Sequence, residues 1–163
     1  MRKTWNVKPK DPLTQKKLIE SLNVSPIIAQ LLINRNITAA KEAEDFLNPS
    51  LLNLHDPFLM KGMRRAVARI KKAIGNKEKI MIYGDYDVDG ISATALLSLV
   101  FKKMQVAVEH YIPNRLEEGY GLNKKAISDI HKRKIKLLIT VDCGVTACDE
   151  IDELNHLGVD TII

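Results

Sequence analysis

Three aspartates, Asp85, Asp87 and Asp89, alternate along Tyr83-Gly84-Asp85-Tyr86-Asp87-Val88-Asp89-Gly90-Ile91-Ser92, directly after the apolar run Ile80-Met81-Ile82. On extended backbone, residues two apart point to one side, so the three carboxylates are expected to converge at the tip of a strand. Like charges held that close need a cation between them, and carboxylate oxygens suit Mg²⁺ or Mn²⁺. A fourth aspartate, Asp142, follows a second apolar run, Leu137-Leu138-Ile139-Thr140-Val141. If both runs are parallel strands of one sheet, Asp142 lies at the same edge and can bridge metals held by the first group. Paired cations so placed activate a water and neutralise charge on a phosphate in flight. Cys143-Gly144 leaves room for a tight turn into a helix near Thr146.

Other chemistries fit these residues less well. An EF-hand requires glutamate at its twelfth position, and counting from Asp85 reaches Leu96. A haloacid-dehalogenase-type phosphatase places an aspartate pair after a strand, which Asp87-Val88-Asp89 matches loosely, but Gly84, Asp85 and Tyr86 then interrupt the strand. Neither a Gly-rich dinucleotide fingerprint nor a phosphate-cradling loop ending in Lys-Ser/Thr occurs. Acids that merely cap a helix at Ser92 account for one carboxylate, not for three together with Asp142.

A third segment, Tyr111-Ile112-Pro113-Asn114-Arg115-Leu116-Glu117-Glu118-Gly119-Tyr120-Gly121-Leu122-Asn123, falls on the same predicted edge. Two readings stand for it. Arg115 clamps a phosphate and Tyr120 stacks on a base beside Gly121, or Arg115 pairs with Glu117 or Glu118 and Tyr120 is packing.

These residues need a sheet to position them. From residue 78 onward short apolar strands alternate with helices: strands over 79–83, 106–112, 135–141 and from 160, helices over 92–103, 124–132 and 146–157. That rhythm predicts an α/β fold with a doubly wound, mostly parallel sheet, over residues 76–163, whose ligands bind beyond the carboxyl ends of the strands. Residues 1–75 read as a helical N-terminal segment. Thr14 is the expected cap of a helix to Leu22, Ser25-Pro26 opens one through Leu32, and Thr38 opens a third that stops before Asn48-Pro49. Over 61–74, Met63, Ala66, Val67, Ile70 and Ile74 keep helical spacing, with Gly75 as C-terminal cap. Arg65, Arg69 and Lys72 lie on its other face, either solvated or following a phosphate backbone.

Composition sets the outer limits. At 163 residues and 45% hydrophobic the chain can bury a core, which excludes a disordered polypeptide. Twenty-five Lys and Arg against 20 Asp and Glu give +5 despite the acidic motif, so basic charge lies elsewhere and nucleic acid is permitted as a partner. No stretch is apolar enough to span a bilayer, and Met1-Arg2-Lys3-Thr4-Trp5 leads into polar sequence rather than a signal-peptide core, so a cytoplasmic protein is expected. Cys143 and Cys148 are too few for a disulfide framework or zinc site, and His55, His110, His131 and His156 lack ligand spacing. The apolar run that closes the chain reads as a strand in the middle of the pattern, so a truncated domain is expected.

Gly84-Asp85-Tyr86-Asp87-Val88-Asp89-Gly90 and Val141-Asp142-Cys143-Gly144 resemble the first two motifs of the DHH phosphoesterases. The segment from Tyr111 to Asn123, together with Leu32-Ile33-Asn34-Arg35-Asn36-Ile37 and Asp45-Phe46-Leu47-Asn48-Pro49, is similar to that family's exonucleases specific for single-stranded DNA. The resemblance implies a Mn²⁺- or Mg²⁺-dependent enzyme degrading single-stranded DNA from the 5′ end in recombination and repair, with single-strand-binding protein and a helicase as partners. Asp87 is then the ligand of one metal, Asp89 of the other, Asp142 bridges them, and Asp85 supports the cluster. Tyr83 stands where some members have histidine. The Asp-His-His motif that names the family is expected shortly beyond Ile163, with a DNA-gripping domain and an oligonucleotide-binding module, so that this chain holds part of a site. A non-catalytic relative acting as a replication or repair partner is the alternative, though such relatives tend to lose the acids kept here.

Overall fold

Short-range punctuation sets where the helices begin. The computed structural model describes residues 9–163, and the polar stretch from Met1 to Trp5 lies outside them. Helix α1 (Pro12–Leu22) is capped by Asp11, not by Thr14. The Asp11 carboxylate accepts from the Thr14 N–H at 3.1 Å and from its hydroxyl at 2.6 Å, so Thr14 is the partner of the cap. Ser25 opens α2 (Pro26–Asn34) as expected, accepting from the Ile28 N–H at 3.3 Å. Helix α3 (Ala40–Leu47) starts from Ala39 without a side-chain cap, so Thr38 does not open it. Leu18, Ala29, Leu32, Ile37 and Ala43 form a core of their own among these helices.

The described residues divide into two compact units, one ending at Leu59 and the other Met60–Ile163. The second begins ahead of the residue-76 boundary drawn from the change of rhythm, because α4 (Met63–Gly75) is part of it. Ile70, Ala73 and Ile74 of α4 pack with Ile80 and Ile82 of β1 (Ile80–Gly84). The unit continues through α5 (Val88–Lys103), β2 (Glu109–Tyr111), α6 (Lys124–Lys132), β3 (Leu137–Val141), α7 (Cys148–His156) and β4 (Asp160–Ile162). All strand pairs are parallel, in the order β2-β1-β3-β4.

Side-chain alternation along the strands divides the core between two layers. Ile80, Ile82, Leu137 and Ile139 join Ala73 and Phe101 of α4 and α5, while Met81, Tyr83 and Leu138 join Ala126, Ile127, Ile130 and Leu154 of α6 and α7. This is the doubly wound α/β arrangement expected from the sequence. Strand β2 is shorter than predicted, pairing only with Met81, Ile82 and Tyr83 of β1. The chain leaves β1 for one neighbour, β2, and later returns on the other side as β3. The crevice beyond Gly84 and Val141 is therefore a topological switch point, where ligands bind in such sheets.

Of the three basic residues predicted on one face of α4, Arg65 and Lys72 are exposed, whereas Arg69 is mostly covered. Its guanidinium pairs with Glu78 at 2.6 Å and with Asp160, and donates to the Lys136 carbonyl at 3.3 Å. It ties α4 to the approaches of β1, β3 and β4, and neither a solvated face nor phosphate tracking describes it. Arg69→Met, which keeps the aliphatic stem, is expected to lower the unfolding free energy by about 2 kcal/mol in urea denaturation, because Glu78 loses a partly buried partner. An unchanged midpoint would show the tie to be idle.

Candidate functional site

Two glycines allow the end of β1 and the start of α5 to touch. A Cβ on Gly90 would stand 2.5 Å from both the N and O of Asp85, and one on Gly84 would stand 2.1 Å from Thr94 Oγ1 and 2.9 Å from the Gly90 carbonyl. The chain consequently turns from strand to helix within three residues. Asp87 caps α5, its Oδ1 accepting from the N–H groups of Asp89 at 2.9 Å and Gly90 at 3.0 Å. Helix α5 thus begins before the Ser92 start expected from the sequence.

Asp85 is 3% exposed and accepts from the Tyr86 N–H at 2.7 Å. Across the crevice, Asp142 follows β3 with φ 59° and Gly144 with φ 102°, where a Cβ would meet Thr140 Oγ1 at 2.7 Å. The Thr140 hydroxyl donates to the Cys143 carbonyl at 3.0 Å, closing the tight turn expected at Cys143-Gly144. Carboxylate oxygens of Asp85, Asp87 and Asp142 lie within 4.8 Å of one another, the first buried and the others exposed.

Asp89 is not in this group. Alternation requires a strand through the motif, but β1 ends at Gly84, and beyond Asp87 the helical period replaces the strand period. Asp89 still acts on the site through its charge. Water stripped from the Asp142 carboxyl, followed by the charges of Asp87 and Asp89, holds that group above the ordinary carboxyl range. Among the described residues, the group with metal-ligating geometry is made of carboxylates alone, without histidine or cysteine. Both cysteines are free, and burial pushes the Cys143 thiol up to about 11.

In the loop of residues 113–123, Arg115 does not take either glutamate as its partner. Glu117 and Glu118 pair with Lys125, at 3.8 and 3.3 Å. Arg115 instead lies over the Tyr86 ring, 5.2 Å from its centroid. Tyr86 meets Tyr120 edge-on at 6.4 Å, and the Tyr120 hydroxyl donates to the Asp142 carbonyl at 3.2 Å. A cationic and aromatic strip therefore runs from Arg115 to the carboxylate group. Tyr86 was missed in the sequence because the acidic alternation around it dominates the motif. Gly121 takes part through its carbonyl, which accepts from the buried Tyr83 hydroxyl at 2.7 Å. Tyr83 is thus committed to the loop and does not contribute its side chain to the carboxylates. Burial holds its phenol well above the ordinary range.

The DHH family, N-terminal domain, matches residues 79–163. The chain belongs to the DHH family. It is 43% identical over 159 residues to the single-stranded-DNA-specific exonuclease RecJ of Bacillus subtilis, covering 98% of this chain and 20% of that protein. Against the RecJ exonuclease of Thermus thermophilus, identity is 35%, over 99% of this chain and 23% of that one. The chain thus spans about a fifth of the length of these relatives. The crystal structure of RecJ in complex with Mn²⁺ from Thermus thermophilus superposes with a TM-score of 0.67 at 26% identity, covering 95% of this chain and 21% of that chain. A second solved structure, exonuclease RecJ bound to manganese, gives 0.58 at 38% identity over 63% of this chain and 26% of the other.

The DHH match begins at the residue before β1 and includes Asp85, Asp87, Asp89 and Asp142. Among the described residues no helix is long and apolar enough to cross a membrane.

Proposed function

We propose that this DHH chain carries the divalent-metal face of a nuclease that hydrolyses phosphodiester bonds of single-stranded DNA from the 5′ end, with Mn²⁺ or Mg²⁺ as cofactor. The observation that carries the reading is the meeting of Asp85, Asp87 and Asp142 at the switch point of the sheet. The donor set fits a hard cation: it is all-oxygen and anionic, and desolvation followed by the charges of Asp87 and Asp89 shifts Asp142 upward without one. Those three residues would hold an ion between them. Asp89, in the first turn of α5, would serve a second ion, and Asp142 would be the ligand shared between the two. A bound divalent cation supplies Lewis acidity at the phosphodiester.

The remaining contributions come from the chain itself. Arg115 is unencumbered by Glu117 and Glu118 and presents its guanidinium to a phosphate. Tyr120, 62% exposed, presents a ring on which a base stacks, and Tyr86 meets it edge-on. The +5 balance favours a polyanion. A cytoplasmic role in recombination and repair, alongside single-strand-binding protein and a helicase, follows from this reading.

The test is fluorescence anisotropy of a 5′-phosphorylated oligodeoxythymidylate with the purified chain in Mn²⁺. Arg115→Ala and Tyr120→Ala are each expected to weaken binding about tenfold, and a duplex of the same length should compete poorly. Equal competition by the duplex would overturn the assignment to single strands.

A further inference from the structure

Glu118 is the polar centre of a loop that is anchored by buried Leu122 but whose middle packing does not hold. Leu116 is 94% exposed, and Gly119 and Gly121, at φ 74° and 79°, have nothing near where a Cβ would stand. Yet the Glu118 side chain is only 7% exposed. A carboxylate so covered needs donors, and it has them from both ends of the loop. It accepts from the Tyr111 hydroxyl at 2.5 Å, Lys125 Nζ at 3.3 Å, Asn123 Nδ2 at 3.4 Å and the Asn114 N–H at 3.4 Å.

Those donors are tied in turn to the strands that lead into the carboxylate group. Tyr111 is the last residue of β2, and its ring stacks on Tyr83 of β1 at 5.3 Å and 8°. The Tyr83 hydroxyl accepts from Asn123 Nδ2 at 3.4 Å and donates to the Gly121 carbonyl. Gly121 directly follows Tyr120, whose hydroxyl reaches the Asp142 carbonyl.

We propose that Glu118, acting through Tyr111 and Tyr83, is a positioning residue that sets Arg115 and Tyr120 against the carboxylate group, and so governs affinity for the single strand without touching it. The proposal rests on the loop being the single-strand contact. Burial and then the bond to Glu118 push the Tyr111 phenol up to about 12, and that bond is the foremost cause holding the Glu118 carboxyl below its ordinary range. Both shifts accord with a tight contact of phenol and carboxylate.

The experiment measures, on the same samples of the 163-residue chain, affinity for a 5′-phosphorylated oligodeoxythymidylate and affinity for Mn²⁺. Glu118→Ala and Tyr111→Phe are expected to weaken oligonucleotide binding about tenfold while Mn²⁺ affinity stays within about twofold, since both changes lie outside the carboxylate group. Glu118→Gln, whose amide oxygen still accepts from Tyr111 while its amide nitrogen faces Lys125 and the Asn114 N–H, should recover binding in part, to between that of Glu118→Ala and wild type. Tyr111→Phe keeps the stacked ring and carries the test if Glu118→Ala fails to fold. Oligonucleotide affinity unchanged in the variants, or lost in step with Mn²⁺ affinity, would overturn the positioning role alone. A wild-type chain that binds Mn²⁺ but no oligonucleotide would overturn the single-strand reading and this role with it.

Discussion

Asp142→Asn is expected to raise the melting temperature of the metal-free chain at neutral pH while lowering Mn²⁺ affinity by about a hundredfold or more, since even residues that only support a ligand change affinity tenfold to a hundredfold. The two effects share one cause. Asp142 follows β3 in a crevice already holding Asp85 and Asp87, and its carboxyl is shifted upward there. A folded-state value raised above the unfolded one means that the ionised group opposes folding at neutral pH, and that the penalty is relieved as pH falls through the raised value. Below the ordinary carboxyl range both states are protonated, so variant and wild type should then melt together. Asparagine accepts the φ of 59° as readily as aspartate does, so the substitution isolates charge from backbone strain. Scanning calorimetry across pH, with and without Mn²⁺, reads all of this, and Mn²⁺ should invert the order of the two proteins. A metal-free Asp142→Asn chain less stable than wild type at pH 7 would contradict repulsion within the group.

The second large effect belongs to Gly90. Helix propensity alone favours alanine in α5 by about 1 kcal/mol, so an ordinary helical glycine would tolerate or welcome the change. Here the new Cβ would stand 2.5 Å from backbone atoms of Asp85, which cannot swing aside as a side chain can. Overpacking of that kind costs about 3 kcal/mol, and relief requires parting α5 from β1, which moves Asp87 away from Asp85. Gly90→Ala should therefore lose stability and Mn²⁺ binding together, whereas Gly75→Ala, with nothing within 4 Å of the added atom, is a control that should cost neither. Thermal melts and metal titrations of the two variants make the comparison. Equal behaviour would mean that the contact is relieved without moving the acids.

Much of this was legible from local pattern. Alternating strand and helix lengths gave the doubly wound fold, and α6 falls on its predicted residues because Asn123 is a strong cap, accepting from the Ala126 N–H at 2.8 Å. The two halves of the acidic group were legible because each follows an apolar strand. What local pattern does not carry is the exact trajectory of the turn after Gly84. Strand spacing placed Asp89 with its neighbours, while the glycine contacts start the helix at Val88 and turn Asp89 out of the group. Capping and metal binding stood as rival roles for the acids, yet Asp87 both caps α5 and joins the cluster. The partner of Arg115 was equally beyond reach, since two glutamates and two aromatic rings lie close in sequence or in space and tertiary placement chooses among them. Arg69 shows the same limit: its spacing on α4 says which face it occupies, but Glu78 and Asp160 come to it through the sheet.

The β1–β3 pairing has a kinetic consequence. Asp85 and Asp142 directly follow adjacent strands, but α5, β2 and α6 lie between them in the sequence. A parallel pairing across so long a connection is slow to form because the loop entropy is lost before the contact rewards it. A cation that needs oxygens from both strands finds no template in the early chain. It would act as a brake on unfolding, lengthening the life of the native state and leaving the refolding rate nearly untouched.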